Sequence, residues 1–470
     1  MTPTSTPPGQ RWIVASLCLA MLMPSLDTSI ANAGLPVLAL ALGASFAHVQ
    51  WVVLAYLLAI TALIVGAGRL GDLFGQRRVL LAGIALFTAS SLACGLAGSL
   101  AALVVARALQ GLGAAAMLAL AVALVGETIP QERTGRAMGL LGTMSAIGTT
   151  LGPSLGGVLM SSLGWRSIFF VNVPLGLVNL ALAHRWLPAT PRAATAPRAR
   201  FDLAGTAALA LASGSFALGM TARAPALLAA AAAGAAAFAV IETRAAAPLV
   251  RPAMLRDPRL AASLAASALV ATVIMATLVV GPFYLARALA LQPATVGLVL
   301  SAGPFVSALT GAPAGRLVDR LGAGRVMLAG LAAMLAGAAG LALVPVAAGV
   351  PGYLGALLVM TVGYATFQPA NGTALMAGVA ADRRGVVSGL LSLSRNLGLI
   401  TGASALGAVF AATAGDLAHA SAADVARGLH AAFGVAAGLV VVALGIALRG
   451  RSLARRAASG SIASPGLSSG

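Results

Sequence analysis

Long apolar runs alternate with short arginine-bearing loops along almost the whole chain. A helix needs about 20 apolar residues to cross a hydrocarbon core. On that ruler the pattern predicts fourteen membrane-spanning helices, at 13–34, 49–68, 79–97, 101–125, 136–161, 165–187, 203–221, 225–241, 260–286, 294–316, 325–345, 353–378, 385–413 and 428–448. An acid and a proline-containing loop, rather than a small-residue cleavage site, follow the first run, so it reads as a retained helix. Residues 1–10 and 457–470 are rich in Pro, Ser and Gly and are expected to be disordered tails.

The pattern repeats. GRLGDLFGQRRVLLAG (68–83) returns as GRLVDRLGAGRVMLAG (315–330), identical at ten of sixteen positions, including Gly68/Gly315, Arg69/Arg316, Asp72/Asp319, Gly75/Gly322 and Arg78/Arg325. Gly148, Gly152, Ser154 and Gly157 likewise recur as Gly398, Gly402, Ser404 and Gly407. A duplicated acid and duplicated arginines point to an internal repeat. The expected organisation is a tail (1–12), a six-helix bundle (13–187), a linker (188–259) holding two extra helices at about 203–221 and 225–241, a second six-helix bundle (260–448) and a tail (449–470). Two related bundles of this kind are the build of a membrane transporter.

Composition sharpens the class. Hydrophobic residues make up 60% and charged residues 9%, which excludes a soluble globular domain. The net charge of +18 comes from 29 arginines with no lysine. Of these, 23 fall in the even-numbered loops and the tails and four in the odd-numbered loops, a bias that predicts both termini on the cytoplasmic side. The charge therefore serves topology and anionic lipid, not nucleic acid. Cys18 and Cys94 have no metal-ligand spacing, and the four histidines are scattered. Without lysine there is no Walker loop, and HExxH is absent, so no enzyme, cofactor or metal is expected. The driving force is left to an ion gradient or to the substrate's own.

Ionisable groups inside the bilayer are costly and mark function first. Asp27, in LDTSIANAGLP, is the acid of the first span; it reads as a proton-binding carboxyl or as a hydrated group at the span's outer end. Arg107, in LVVARALQGLG, reads as its partner or as a bundle-stabilising donor to carbonyls, and Arg395 of span 13 faces the same choice. Glu127 reads as a wetted helix end. Gly148, Gly152, Gly156 and Gly157 with Pro153 suit a close helix contact or hinge. The charged loop, with Gly68, Arg69, Asp72, Gly75 and Arg78 and its copy Arg316, Asp319 and Arg325, suits a latch or a solvated loop. Asn32, Trp51, Tyr56, Tyr284, Tyr364, Gln368, Asn371, Arg395 and Asn396 are candidates to line a cavity between the halves; each fits an interhelical bond or interfacial anchor as well.

Taken in order, LDTSIANAGLP, GRLGDLFGQRRVLLAG, ARALQGLGAA, GTTLGPSLGG, GWRSIFFVNVPLG and RRGVVSGLLSLSRNLGLITG resemble the fourteen-span drug:proton antiporter branch of the major facilitator superfamily. The resemblance implies the major facilitator fold, Asp27 as proton binder with Arg107 supporting transfer, and an antiporter motif at Gly152, Pro153, Gly156 and Gly157. It also implies a conformational latch at Arg69, Asp72 and Arg78, with Gln76 standing where the family usually carries a basic residue. The implied protein is a monomeric proton-coupled exporter of a hydrophobic or cationic compound in the cell (inner) membrane. A facilitator or symporter of another solute is the alternative on the same scaffold. A membrane sensor would need a soluble output domain, and no loop exceeds about twenty residues.

Overall fold

The computed structural model describes residues 8–188, 202–245, 254, 256–376, 379, 384–417 and 419–462. Fourteen long helices follow one another: α1 Pro8–Ala41, α2 Trp51–Phe74, α3 Gln76–Leu96, α4 Leu100–Thr128, α5 Gln131–Leu163, α6 Asn172–Trp186, α7 Leu203–Thr221, α8 Pro225–Arg244, α9 Pro258–Phe283, α10 Pro293–Leu321, α11 Ala323–Leu343, α12 Gly349–Met376, α13 Arg384–Thr401 and α14 Ala422–Ile462. α9 ends in a π-helical turn, Tyr284–Ala288, and α13 continues through another, Gly402–Leu406, into Gly407–Ala414. Among the described residues, 13 helices are long and apolar enough to cross a membrane. The fourteenth expected span is α5, whose Thr143, Ser145, Thr149, Thr150 and Ser154 make it the more polar helix.

Two ends differ from expectation. α1 starts at Pro8, inside the expected tail, and α14 runs on to Ile462, well past 448. Short-range helix propensity in the Ala- and Arg-rich stretch 449–459 continues the last span where apolar content alone stops. Starts elsewhere follow local rules: Ser99 Oγ accepts from the Ala102 amide at the head of α4, and Pro258 and Pro293 occupy first turns.

The two halves repeat in three dimensions as they do in sequence. The α2–α3 and α10–α11 turns are both made by a glycine in the left-handed region, Gly75 (φ 93°) and Gly322 (φ 82°), which explains that pair of glycines. Gly148 of α5 lies on the backbone of α1, with a built β-carbon 2.7 Å from the Leu22 carbonyl oxygen. Its counterpart Gly398 of α13 lies on α9 in the same way, 2.2 Å from the Ala268 oxygen. Close backbone approach at small residues is how membrane helices pack, because lipid supplies no hydrophobic drive between them. Large apolar side chains, among them Val105, Leu151, Leu177 and Val442, stand exposed on the outer faces, as a lipid-facing surface requires.

Between the halves, α5 lies along α10, where the Ser154 amide donates to Ser301 Oγ at 3.0 Å. Phe46, Phe283 and Phe410 form an aromatic cluster across the seam, with centroids 4.9 Å and 5.0 Å from Phe46. These contacts lie at the end remote from the arginine-rich loops. The extra pair α7–α8 packs together and lies against α2 and α13, with Trp51 Nε1 donating to Thr221 Oγ1 of α7 at 3.3 Å.

Candidate functional site

α4 carries Arg107 and Gln110 one turn apart, so both side chains leave the helix on one face. That face meets α1, α2 and α3 and the start of α6, and five polar side chains converge there. Asp27 is 1% exposed, and Arg107, Gln110, Asn172 and Ser91 are 0% exposed. Arg107 Nη1 donates to Asp27 Oδ2 at 2.5 Å and to Gln110 Oε1 at 2.6 Å. Asp27 Oδ1 accepts from Gln110 Nε2 at 2.9 Å and from Asn172 Nδ2 at 2.7 Å. Gln110 Nε2 also donates to Ser91 Oγ at 2.8 Å, and Ser91 in turn donates to the Phe87 carbonyl.

Arg107 is held independently of the acid. Its Nε donates to the Val52 carbonyl at 2.9 Å, and its guanidinium carbon lies 4.1 Å from the centre of the Tyr56 ring. Tyr56 donates its hydroxyl to the Pro24 carbonyl at 3.3 Å, which fixes the ring. Burying both charges costs several kcal/mol, which their mutual attraction repays only with the remaining lone pairs bonded. Here both carboxylate oxygens are bonded, by donors from α4 and α6. The arrangement is a buried charged pair, and removing either partner would leave an uncompensated charge inside the bundle.

Nothing equivalent stands in the second half. The helix contacts match Leu22 and Leu26 of α1 with Ala268 and Thr272 of α9, so Asp27 corresponds to Val273; at the repeat offset of 250, Arg107 corresponds to Leu357. Among the described residues, the charged site belongs to one bundle.

The remaining candidates distribute as follows. Gly148, Gly152 and Gly156 lie along α1, against Leu22, Ser29 and Ile30, while Gly157 faces Pro293 and the Pro153 carbonyl sits under Gly297 of α10. In the charged loop, Gly68 lies on α2, Arg78 is exposed, and the side chains of Arg69 and Asp72 lie outside the described residues. In its copy, Arg316, Asp319 and Arg325 are exposed and make no described contact with one another. Gln76 is buried and donates to Glu127 at the end of α4. Asn32 is buried with neither amide atom hydrogen-bonded. Trp51 is occupied by α7, and Tyr284 stacks on Tyr353 with centroids 5.6 Å apart. Gln368 donates to the Tyr364 hydroxyl at 2.6 Å, and Asn371 accepts from Ser263 at 2.5 Å. Arg395 is exposed and Asn396 is buried.

Gln110, Asn172, Ser91 and Cys94 are the site residues that sequence reading passed over; Cys94 Sγ lies 3.7 Å from Gln110 Oε1. Signals existed for two of them. Gln110 follows Arg107 by one helical turn, and Asn172 is a lone amide inside the apolar FFVNVPLG.

The family profile described as Major Facilitator Superfamily matches residues 17–403 and 260–466. This chain belongs to the major facilitator superfamily. It is therefore a multi-pass membrane transporter of a small molecule. It is 34% identical over 412 residues to the multidrug resistance protein Stp of Mycobacterium tuberculosis, covering 84% of this chain and 74% of that one. It is 32% identical over 429 residues to the tetracenomycin C resistance and export protein of Streptomyces glaucescens, covering 88% and 79%. The crystal structure of the nucleoside transporter NupG superposes with a TM-score of 0.69 at 14% identity, over 93% of this chain and 99% of that one, a likeness of fold.

Proposed function

We propose that this transporter is a proton-coupled antiporter that exports a hydrophobic or cationic compound across the cell membrane by alternating access. The observation that carries the reading is the buried Asp27–Arg107 pair, with Asp27 bonded through both oxygens. An acid so buried is retained against its solvation cost, and in a bundle that rocks between two states it changes solvent access as it moves. Relatives named for multidrug resistance and for export of tetracenomycin C support the export direction.

Contacts at Phe46, Phe283 and Phe410 and between α5 and α10 join the halves at the end remote from the arginines. With the termini cytoplasmic, as the arginine bias indicates, we assign this arrangement as closed to the outside. Asp27 then releases its proton and pairs with Arg107 while substrate enters from the inside; return to the outward arrangement opens the site to the outside and reloads the acid. Gly75 and Gly322 mark the loops we assign as conformational latches, and the α5 glycines the sliding contact with α1.

The test is transport in vesicles reconstituted with the purified protein, with ethidium as the probe and an imposed pH gradient. Antiport gives probe movement against the proton flow, with protons released on the side to which substrate is added. Probe movement in the same direction as protons would make the protein a symporter, and movement indifferent to the gradient a facilitator.

A further inference from the structure

Every atom that bonds Asp27 has a second duty except in Asn172. Gln110 is used at both ends: Nε2 serves Asp27 and Ser91, and Oε1 accepts from Arg107 and faces Cys94. Turning its amide over would set Nε2 against the guanidinium, donor to donor. Arg107 has donors alone. Asn172 gives Nδ2 to Asp27, while its Oδ1 is buried and accepts nothing.

That leftover acceptor has a chemical meaning. An ionised carboxylate accepts only, and a protonated one carries an O–H that needs an acceptor of its own. Which way an amide faces is set by the hydrogen bonds offered to it. With Asp27 ionised, Nδ2 must face it, since Oδ1 there would meet a negative oxygen. With Asp27 protonated, the preference inverts. The side chain satisfies it by half a turn about χ2, a soft torsion that exchanges two atoms of nearly equal size and leaves the packing unchanged.

We propose that Asn172 is a donor–acceptor switch: Nδ2 holds the Asp27 carboxylate, and on protonation the amide turns over so that Oδ1 accepts the Asp27 hydroxyl. The inference rests on the reading of Asp27 as the proton carrier and assigns a positioning residue to that site. The only covalent change is addition of one proton from solvent to a carboxylate oxygen. The titratable groups coupled to Asp27 are Arg107 on α4, Tyr56 on α2 and Cys94 on α3. Arg107 is also held by Val52, Gln110 and the Tyr56 ring, contacts that do not pass through Asp27.

The test uses protons alone as the ligand. The full chain, with its asparagines carbon-13-labelled at the side-chain carbonyl, is placed in phospholipid vesicles and followed by infrared difference spectroscopy from acid to alkaline pH. The chain has five asparagines, so replacing Asn32, Asn179, Asn371 and Asn396 by Gln leaves Asn172 as the sole labelled side chain. The expected result is a carboxylic-acid band, absent from Asp27→Asn, and a labelled amide band that shifts with the same midpoint. In Asn172→Leu the labelled amide band is lost while the Asp27-dependent carboxyl band remains. A carboxyl band that titrates while the labelled amide stays still overturns the switch and leaves the proton reading standing. No Asp27-dependent band at any pH overturns both.

Discussion

Gly157 of α5 lies against Pro293 at the head of α10, where a β-carbon would stand 2.5 Å from the Pro293 carbonyl oxygen. The repeat places Gly407 against the residue matching Pro293, Phe46, and against Gln50, whose Oε1 lies 2.6 Å from a β-carbon built there. One contact is thus made twice, once in each direction across the seam between the halves. The two are not equally rigid: a backbone carbonyl stands at one and the tip of a flexible side chain at the other.

That difference gives a ranked prediction. Gly157→Ala forces backbone to move, at an overpacking cost of about 1–3 kcal/mol, and so favours the arrangement open at that end. Gly407→Ala is the milder change because Gln50 can swing aside. Labelling of Ser301→Cys by a membrane-impermeant thiol reagent, above the signal of the chain without that cysteine, should rise in Gly157→Ala by roughly fivefold or more and less in Gly407→Ala. Equal labelling in all three backgrounds would mean the contact does not hold that end shut.

Asp27→Asn keeps the shape of the site and removes the charge and the exchangeable proton. Gradient-driven efflux should fall to the rate of empty vesicles while the helical circular-dichroism spectrum is retained. Melting in detergent should drop, because Arg107 is left buried without its counter-charge, a loss of about 3–5 kcal/mol for a broken buried pair. Wild-type efflux in this variant would remove Asp27 from the mechanism.

Arg107→Lys tests what the guanidinium does beyond carrying charge. Arg107 reaches Asp27, Gln110 and the Val52 carbonyl at once and lies over Tyr56, and a single ammonium cannot fill that fork. Efflux should fall by at least about tenfold, to a level close to that of Arg107→Ala. Full activity in the lysine variant would show that charge alone suffices.

At the head of α14, Ser421 and Asp424 cap one another: the Ser421 amide and hydroxyl donate to Asp424, and the Asp424 amide donates to Ser421 Oγ. These bonds, with a smaller contribution from Arg427, hold the Asp424 carboxyl below its ordinary value. A depressed carboxyl adds stability above its unfolded value and loses it as pH falls through the folded one. Hydrogen exchange at the first turn of α14 should therefore speed up below the usual carboxylate range, and Ser421→Ala should blunt that acid dependence. An exchange rate that follows only the intrinsic chemistry of the amides would rule the cap out as its cause.

Hydropathy and charge placement made the class, the helix count and the internal repeat legible without coordinates, because a bilayer imposes one local rule on every span: about 20 apolar residues, with charge outside. Asp27 and Arg107 were visible for the same reason, each as a charge where the rule forbids one. Their pairing was not, since 80 residues separate them and only the packing of α1, α2, α3, α4 and α6 sets the distance at 2.5 Å. Gln110 and Asn172 look ordinary in the chain; tertiary structure alone turns both amides toward one carboxylate. It also decided that Trp51 goes to α7 and that Arg395 stands exposed, because which face of a helix meets which neighbour depends on contacts between segments far apart in sequence.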